Sequence, residues 1–367
     1  MKVLYDHQIF STQVYGGVSR YFVELIKNFK DSGSVKGDLS VLFTNNYYLR
    51  NAKCKQYRTF FPKYNFKGKT KLLDSLNEFY SKQYLRFNTF DVFHPTYYDS
   101  YFIRYIGNKP FVLTVYDMIH EKFPEYFSKN DITTQKKKYI ANKASKIIAI
   151  SNSTKMDLIN IFNIPEKKIK VVYLGYLNNQ FKDKEYKVIE LPSKFILFVG
   201  RRRGYKNFRL FIKSITSILQ KENEINVICV GGGKFTKNEV GWFKFLNING
   251  QISQLDVADA LLSQIYKKAL FFVFPSLYEG FGLPILEAFS NGCPVLCSNT
   301  SSLSEVAGDT AMYFNPYDVD SIKNSVRIAL DNSEIMNNLK LKAFERLGNF
   351  SWENTAKRTQ EIYEMVV

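Results

Sequence analysis

The chain has little of the material from which metal sites, disulfide scaffolds and membrane spans are built. It holds three histidines, His7, His94 and His120, and four cysteines, Cys54, Cys229, Cys293 and Cys297. Only the last two cysteines are close in sequence, and no second pair accompanies them, so the pattern reads as buried thiols in a reducing compartment and not as a disulfide framework or a zinc site. No apolar run approaches the roughly eighteen residues needed to cross a bilayer. The opening MKVLYDHQIF is interrupted by Asp6 and His7 and reads as a first core strand, not a signal peptide. Low-complexity segments and short repeats are absent as well. What remains is 367 residues of ordinary apolar content, enough for two domains that each bury a core.

Acidic residues are scarce in one half only. Residues 1–180 carry 28 Lys and Arg against 14 Asp and Glu, which is +14 of the chain's formal +17. The run from Arg50 to Lys71 has no acidic residue at all, and its bases are Arg50, Lys53, Lys55, Arg58, Lys63, Lys67, Lys69 and Lys71. Tyr57, Phe60, Phe61, Tyr64 and Phe66 are threaded among them. Each basic residue near an anionic leaflet contributes about 1 kcal/mol, and aromatic rings favour the headgroup level. The stretch therefore points to an anionic membrane surface, with a solvated basic loop as the plain alternative. No nucleic-acid-binding module accompanies it, so nucleic acid is not expected as a partner.

Along the chain, short apolar strands alternate with helical patterns in two sets. The first set is Lys2–Tyr5, Asp38–Phe43, Asp91–Phe93, Phe111–Val115, Lys146–Ile150 and Lys170–Tyr173. A polar stretch over residues 174–194 reads as a linker. The second set is Phe195–Val199, Asn226–Val230, Leu270–Phe274 and Val295–Cys297. Strands alternating with helices predict α/β domains with parallel sheets covered on both faces, and two such sets predict two domains with a cleft between them.

Ligands of open α/β sheets bind beyond the carboxyl ends of the strands, so the loops there are where chemistry belongs. The most informative one follows the apolar run 269–274 and reads PSLYEGFGLPILEAFSNGCP, Pro275 to Pro294. Gly280 and Gly282 flank Phe281 and free the backbone for torsions that expose amide groups, while Pro284 stands where a helix begins. Glu279 stays in the loop and Glu287 is predicted in the first helical turn, so two carboxylates can face one polyhydroxylated molecule. The eight-residue spacing alone is uninformative, since Glu345, Glu353 and Glu361 repeat it in what looks like surface helix. A capped helix with a solvated glutamate is the competing reading. A second loop, after Phe195–Val199, runs Gly200-Arg201 to Lys206-Asn207 at a helix entrance and suits a diphosphate. Taken alone it could equally be a solvated basic turn, and Arg202 and Arg203 read as surface residues. A third turn, Gly16-Gly17 after the first strand, exposes amides ahead of a helix predicted over Ser19–Phe29.

The run EGFGLPILEAFSNGCPV, continued by SSLSEVAGDTAMYFNP, closely resembles the retaining glycosyltransferases of family 4 and their E-x7-E signature. The resemblance is specific over some forty residues and weaker along nearly all of the chain. It implies the GT-B architecture, an acceptor-binding domain over residues 1–175 and a nucleotide-sugar-binding domain over 176–352, with a closing helix 353–367 that returns to the first domain. It implies that Glu279 contacts the donor sugar and Glu287 the ribose, that the amides around Phe281, Gly282 and Leu283 meet sugar and phosphate oxygens, and that Arg201 and Lys206 clamp the diphosphate. It puts Gly16 and Gly17 near donor phosphate and acceptor, and makes Trp352 and Tyr363 packing anchors.

The same resemblance sets the mechanistic expectations. Transfer retains anomeric configuration and needs neither metal nor cofactor, because Arg201 and Lys206 substitute for a cation. The donor is a nucleotide sugar, expected to be a GDP-linked hexose of the mannose kind, and the acceptor is a lipid-linked or polysaccharide chain of surface glycan synthesis. The enzyme is expected in the cytoplasm, peripheral to the inner face of the membrane. In one place the chain departs from the family pattern. Many relatives carry a histidine after the strand that ends near Val115, where this chain has Tyr116 in TVYDMIH. His120 could take that role, or Tyr116 could act through its hydroxyl, with Asp117 orienting the acceptor and Ser151 lining the same region. Two alternatives stay open: a nucleotide-sugar-binding protein without catalysis, which Tyr116 would favour, and a phosphorylase on the same fold.

Overall fold

The computed structural model describes residues 1–52, 57–176, 190–257 and 259–367, residues 259 and 260 by backbone only. Lys53, Cys54, Lys55 and most of the expected linker fall outside these residues. The chain divides into two compact units, Met1–Gly175 with Trp352–Val367, and Tyr176–Ser351.

The first unit holds six parallel strands, β1 (Lys2–Tyr5), β2 (Lys36–Leu39), β3 (Val92–His94), β4 (Val112–Val115), β5 (Lys146–Ala149) and β6 (Ile169–Val171). They form two three-stranded sheets, β2-β1-β3 and β4-β5-β6, joined by a parallel bridge between Phe93 and Phe111. β1 and β3–β5 are almost entirely buried, as strands covered on both faces must be. The second strand lies a few residues earlier than its apolar pattern predicts, because Lys36 and Gly37, not the apolar residues 41–43, pair with Lys2 and Val3.

The helix Trp352–Glu364 belongs to this unit. It buries Trp352, Thr355, Ala356, Thr359, Ile362 and Tyr363, the three-and-four spacing of one helical face. Its partner is the helix Gly17–Ser32: Tyr21 meets Trp352 and Phe29 meets Tyr363 at ring-centroid distances of 6.3 and 6.0 Å. A buried polar chain pins it further. The Tyr363 hydroxyl lies 3.0 Å from the Tyr5 hydroxyl and 2.6 Å from His94 Nδ1. His94 Nε2 continues the chain to Thr114 Oγ1 at 2.9 Å, and that hydroxyl reaches Tyr21 at 3.2 Å. Residues far apart in sequence thus close one core.

The second unit is a single six-stranded parallel sheet made of β7 (Lys194–Val199), β8 (Ile225–Val230), β9 (Ile252–Leu255), β10 (Phe271–Phe274), β11 (Val295–Ser298) and β12 (Met312–Phe314). Its order is β12-β11-β10-β7-β8-β9. β9 and β12 have no counterpart among the predicted strands. Both are short edge strands with half-buried or exposed positions, so their apolar signal is weak. The helix Phe208–Lys221 covers the sheet through Phe208, Phe211, Ile212, Ile215, Ile218 and Leu219, again one face. Among the described residues no helix is long and apolar enough to cross a membrane.

His94 generates a prediction. Full burial pushes its pKa down to about 3 from 6.5, so the folded chain holds it neutral. The unfolded chain takes up a proton below pH 6.5 that the folded chain refuses, so this group destabilises the fold as pH falls from 6.5 toward 3 and has no effect above that window. The slope is at most about 1.4 kcal/mol per pH unit. Urea unfolding at pH 7 and pH 5 is expected to show a smaller acid loss in His94→Gln than in the parent chain; equal losses refute the assignment.

Candidate functional site

In the second unit the chain leaves β7, lays β8 and β9 on one side of it, then crosses to place β10 on the other. The topological switch point therefore lies between β7 and β10, where an open α/β sheet splits its two loops apart and leaves a crevice. The loop after β7 carries Lys206 and the loop after β10 carries Glu279. Across this point Lys206 Nζ donates to Glu279 Oε1 at 2.6 Å, although the residues are 73 positions apart. The two loops are also tied by backbone, since Leu277 N–H donates to Tyr205 O at 2.7 Å. The ammonium sits 5.2 Å from the Phe274 ring centroid and 5.5 Å from that of Tyr205, so aromatic faces add to its hold.

Glu279 is 9 % exposed, and the loop behind it is braced by the segment after β11. Its N–H donates to Ser301 Oγ at 3.0 Å. The Ser302 hydroxyl lies 2.9 Å from Glu279 O and 2.8 Å from Phe281 O, and Thr300 Oγ1 lies 3.0 Å from Leu277 O. Ser301 holds these contacts at φ 53°, a region rare for a non-glycine residue. Phe281 is buried, its ring edge-on to Phe350 at 5.8 Å, so its side chain anchors the loop and only backbone is left to meet a ligand. Gly282 caps the helix Leu283–Ser290 at φ 112°. Neither the Gly282 nor the Leu283 N–H has a partner among the described residues, and both stand at the positive end of that helix. Glu287 is the fifth residue of this helix, so it lies beyond the predicted first turn; Pro284 occupies the second position and sets the start one residue before it. It is half-buried.

Arg201 is exposed at the mouth of the first loop, and Arg203 likewise. Arg202, read from sequence as a surface residue, is 6 % exposed, with its guanidinium among backbone carbonyls of the loop after β8. The chain has one Asp-x-Asp, Asp318-Val319-Asp320, and it caps a helix: Asp318 Oδ1 accepts from the N–H groups of Asp320 and Ser321 at 2.9 and 3.3 Å.

In the first unit the corresponding switch point, between β1 and β3, is filled by protein. Asp6 is fully buried there and accepts from the Thr96 N–H at 2.8 Å, the Thr96 hydroxyl at 2.7 Å and Gln8 Nε2 at 2.8 Å. The other candidates of this unit all lie beyond strand carboxyl ends. Gly16 precedes the helix Gly17–Ser32, next to the exposed pair Val14 and Tyr15. Tyr116, just after β4, is 7 % exposed, and its hydroxyl is buried without a hydrogen-bond partner among the described residues. Burial holds that hydroxyl well above its ordinary pKa, which disfavours its acting as an ionised base. Asp117 Oδ1 accepts from Ile119 N–H at 3.0 Å, and its carbonyl accepts from Lys137 Nζ at 2.9 Å. Lys137 is fully buried and also pairs with buried Glu121 at 2.9 Å; sequence reasoning singled out neither. His120 stacks on Phe127 at 3.8 Å and points Nε2 to Asp131 at 3.6 Å. Ser151 is fully buried as the N-cap of the helix Asn152–Phe162, accepting from Thr154 N–H at 3.0 Å. Its hydroxyl is engaged in holding that helix.

Gly282 supplies the prediction of this site. A Cβ there would meet Leu303 Cδ2 at 3.0 Å on a backbone that L side chains avoid. Gly282→Ala is expected to destabilise the second unit by about 1–3 kcal/mol in urea unfolding. An unchanged midpoint refutes this account of the loop.

Comparison with known proteins places this geometry. Residues 179–346 match the model of glycosyl transferases group 1, and residues 15–176 match that of glycosyltransferase family 4. The O-antigen chain mannosyltransferase B of Escherichia coli is 27% identical over 275 residues, 70% of either chain. An uncharacterised glycosyltransferase of Methanocaldococcus jannaschii is 27% identical over 300 residues, 76% of either chain. The fold is similar to that of sucrose-phosphate synthase from Thermosynechococcus elongatus, at TM-score 0.76 and 18% identity over 99% of this chain and 98% of that one. It is also similar to that of WaaG, a glycosyltransferase of lipopolysaccharide biosynthesis, at TM-score 0.71 and 14% identity over 99% of both. The crevice between β7 and β10 is thus set in a GT-B fold, and the chain belongs to the family 4 glycosyltransferases.

Proposed function

We propose that this glycosyltransferase moves a hexose, mannose or a close relative, from a GDP-linked donor to a lipid-linked or polysaccharide acceptor in surface glycan synthesis, with retention of configuration. The observation that carries the reading is the 2.6 Å contact of Lys206 with Glu279 at the switch point of the second unit. The choice of sugar is supported by the mannosyltransferases among the relatives, such as the O-antigen chain mannosyltransferase RfbU of Salmonella typhimurium.

In this reading the diphosphate lies between Arg201 and Lys206, the sugar hydroxyls on Glu279 and the amides of Gly282 and Leu283, and the ribose on Glu287. As the bond from the anomeric carbon to the phosphate oxygen breaks, negative charge grows on that oxygen. Fixed cations stabilise the developing charge more than the ground state, which is the differential binding that accelerates a reaction. The acceptor hydroxyl attacks from the same face and gives its proton to the departing phosphate, so no protein base is required. That assigns positioning, not proton transfer, to Tyr116, Asp117 and His120 on the acceptor side and to Gly16 and Gly17 beside the donor phosphate, while Ser151 holds its helix. Charge neutralisation by Arg201 and Lys206 is also why we propose turnover without a metal.

A panel of sugar nucleotides in excess EDTA tests this, with Glu279→Ala and Glu287→Ala beside the parent chain. The expected result is transfer from a GDP-sugar undiminished by EDTA, most transfer lost with near-normal nucleotide affinity in Glu279→Ala, and weakened nucleotide binding in Glu287→Ala. Activity that disappears and returns with Mn2+ refutes metal independence, and equal nucleotide affinity in both variants refutes the division of labour.

Peripheral membrane association is part of the same proposal. The helix Lys69–Phe87 has two faces: Leu73, Asn77, Ser81 and Leu85 are buried, whereas Leu72, Leu76 and Phe79 are exposed. The preceding turn adds exposed Phe61, Tyr64 and Phe66 beside exposed Arg58, Lys63 and Lys67. Lys69 is a structural member of this group, donating to Phe61 O and Tyr64 O at 3.0 and 2.7 Å. An apolar stripe with a basic rim fits the headgroup boundary of an anionic leaflet. Charge reversal at Arg58, Lys63 and Lys67 is expected to abolish co-sedimentation with anionic liposomes while turnover on a soluble acceptor persists; unchanged sedimentation refutes the assignment.

A further inference from the structure

The three consecutive arginines 201–203 differ in one respect that the sequence hides. Arg202 alone turns inward, and every donor group of its guanidinium is engaged. Nη1 donates to Gly231 O at 3.0 Å, and Nη2 donates to Gly233 O at 2.9 Å and lies 3.2 Å from Lys234 O. Nε donates to Glu239 Oε1 at 2.8 Å, and the other oxygen of Glu239 accepts from the Thr236 N–H at 2.7 Å, closing a capping box on the next helix. The Phe235 ring lies beneath the guanidinium, 4.6 Å away. Arg202 therefore comes from the loop after β7 and grips the whole of the loop after β8.

This grip sets the direction of the loop's amides. In a trans peptide the carbonyl of one residue and the N–H of the next point opposite ways, and there is no cis bond among the described residues. With the carbonyls of Gly231 and Gly233 turned to Arg202, the N–H groups of Gly232 and Lys234 are turned away from it. Both residues are exposed, and neither N–H has a protein acceptor among the described residues. Gly231, Gly232 and Gly233 sit at φ 83°, 72° and 72°, torsions that glycine alone adopts at little cost. The loop also presses on the first one: a Cβ on Gly232 would meet Arg202 Nη1 at 2.9 Å, Gly200 O at 3.0 Å and Arg201 Cα at 3.3 Å.

We infer that Arg202 is a positioning residue for the nucleotide. It fixes the peptide planes of residues 231–235 so that the amides of Gly232 and Lys234 are presented as donors to oxygens of a nucleoside diphosphate, and it holds the backbone from which Arg201 projects. The inference rests on the donor reading above and adds to it a residue that does not itself meet the ligand. Lysine at this position keeps the charge but has one donor centre where the guanidinium engages four acceptors.

The test is calorimetric binding of GDP and UDP to the full chain, with donor KM and kcat measured on Arg202→Lys, Arg202→Met and Gly232→Ala. The expected result is nucleotide affinity lower by at least about tenfold in Arg202→Met, partly restored in Arg202→Lys, with donor KM raised and kcat changed less than about threefold. Gly232→Ala keeps the arginine but sets a Cβ 2.9 Å from its Nη1 and strains the same peptide planes, so it is expected to weaken binding to a like degree even where Arg202→Met does not fold. A lowered melting temperature with parental affinity in the folded variants overturns the inference, and so does parental affinity in Gly232→Ala. Failure of the parent chain to bind either nucleotide fails the donor reading itself, a separate outcome.

Discussion

The order of strands in the second unit decides where chemistry can occur. Because β8 and β9 lie on one side of β7 and β10 to β12 on the other, only the loops after β7 and β10 leave their strands in divergent directions. Those two loops carry the Lys206–Glu279 pair, and almost everything around them serves to hold that pair in place. Ser301 and Ser302 brace the Glu279 side, and the Leu277 to Tyr205 backbone bond joins the two loops. Such support matters because a charged pair at 18 and 12 % side-chain exposure keeps its geometry only if both partners are fixed from behind.

The two units make opposite use of equivalent positions. At the switch point of the first unit a carboxylate, Asp6, is fully buried and receives hydrogen bonds from Thr96 and Gln8, which closes the crevice with protein. At that of the second unit the carboxylate is paired with Lys206, and the amides of Gly282 and Leu283 have no partner among the described residues. A saturated network gives rigidity; an unsaturated one retains capacity for a ligand. The first unit has its own unsaturated region after β4, where the Tyr116 hydroxyl, His120 Nδ1 and Glu121 Oε1 are buried without partners among the described residues.

Much of this was legible in the sequence, for identifiable reasons. Buried parallel strands are continuous apolar runs, so Phe195–Val199 and Leu270–Phe274 were located to within a residue. Gly280-Phe281-Gly282 ahead of Pro284 marked a turn into a helix because glycine and proline act through local torsions. What depended on tertiary surroundings was not legible. Nothing local separates Arg202 from Arg201 and Arg203; burial against three carbonyls does, and those belong to a loop some thirty residues away. Lys137 and Glu121 carry no local signal that singles them out, yet their side chains are buried in contact with each other. The strands β9 and β12 failed for a third reason: at a sheet edge half of the apolar signal is missing.

The lysine at the switch point also explains how a carboxylate can stand beside a proposed diphosphate site. Glu279 and a nucleoside diphosphate are both anionic, and at a separation of a few ångströms in a partly buried crevice their repulsion would be several kcal/mol at an effective dielectric near 20. Lys206 lies between these demands: it neutralises Glu279 in the absence of donor and, with Arg201 exposed close by in the same loop, leaves the local field positive. In the proposed reading a diphosphate would meet a net cationic loop and share the ammonium with the carboxylate, with Arg201 supplying the second charge. On that reading Glu279, sharing its lysine, would keep lone pairs for sugar hydroxyls. The contact that ties the two loops would on that reading also allow exchange, since a carboxylate held by arginine's rigid fork could not be released so readily.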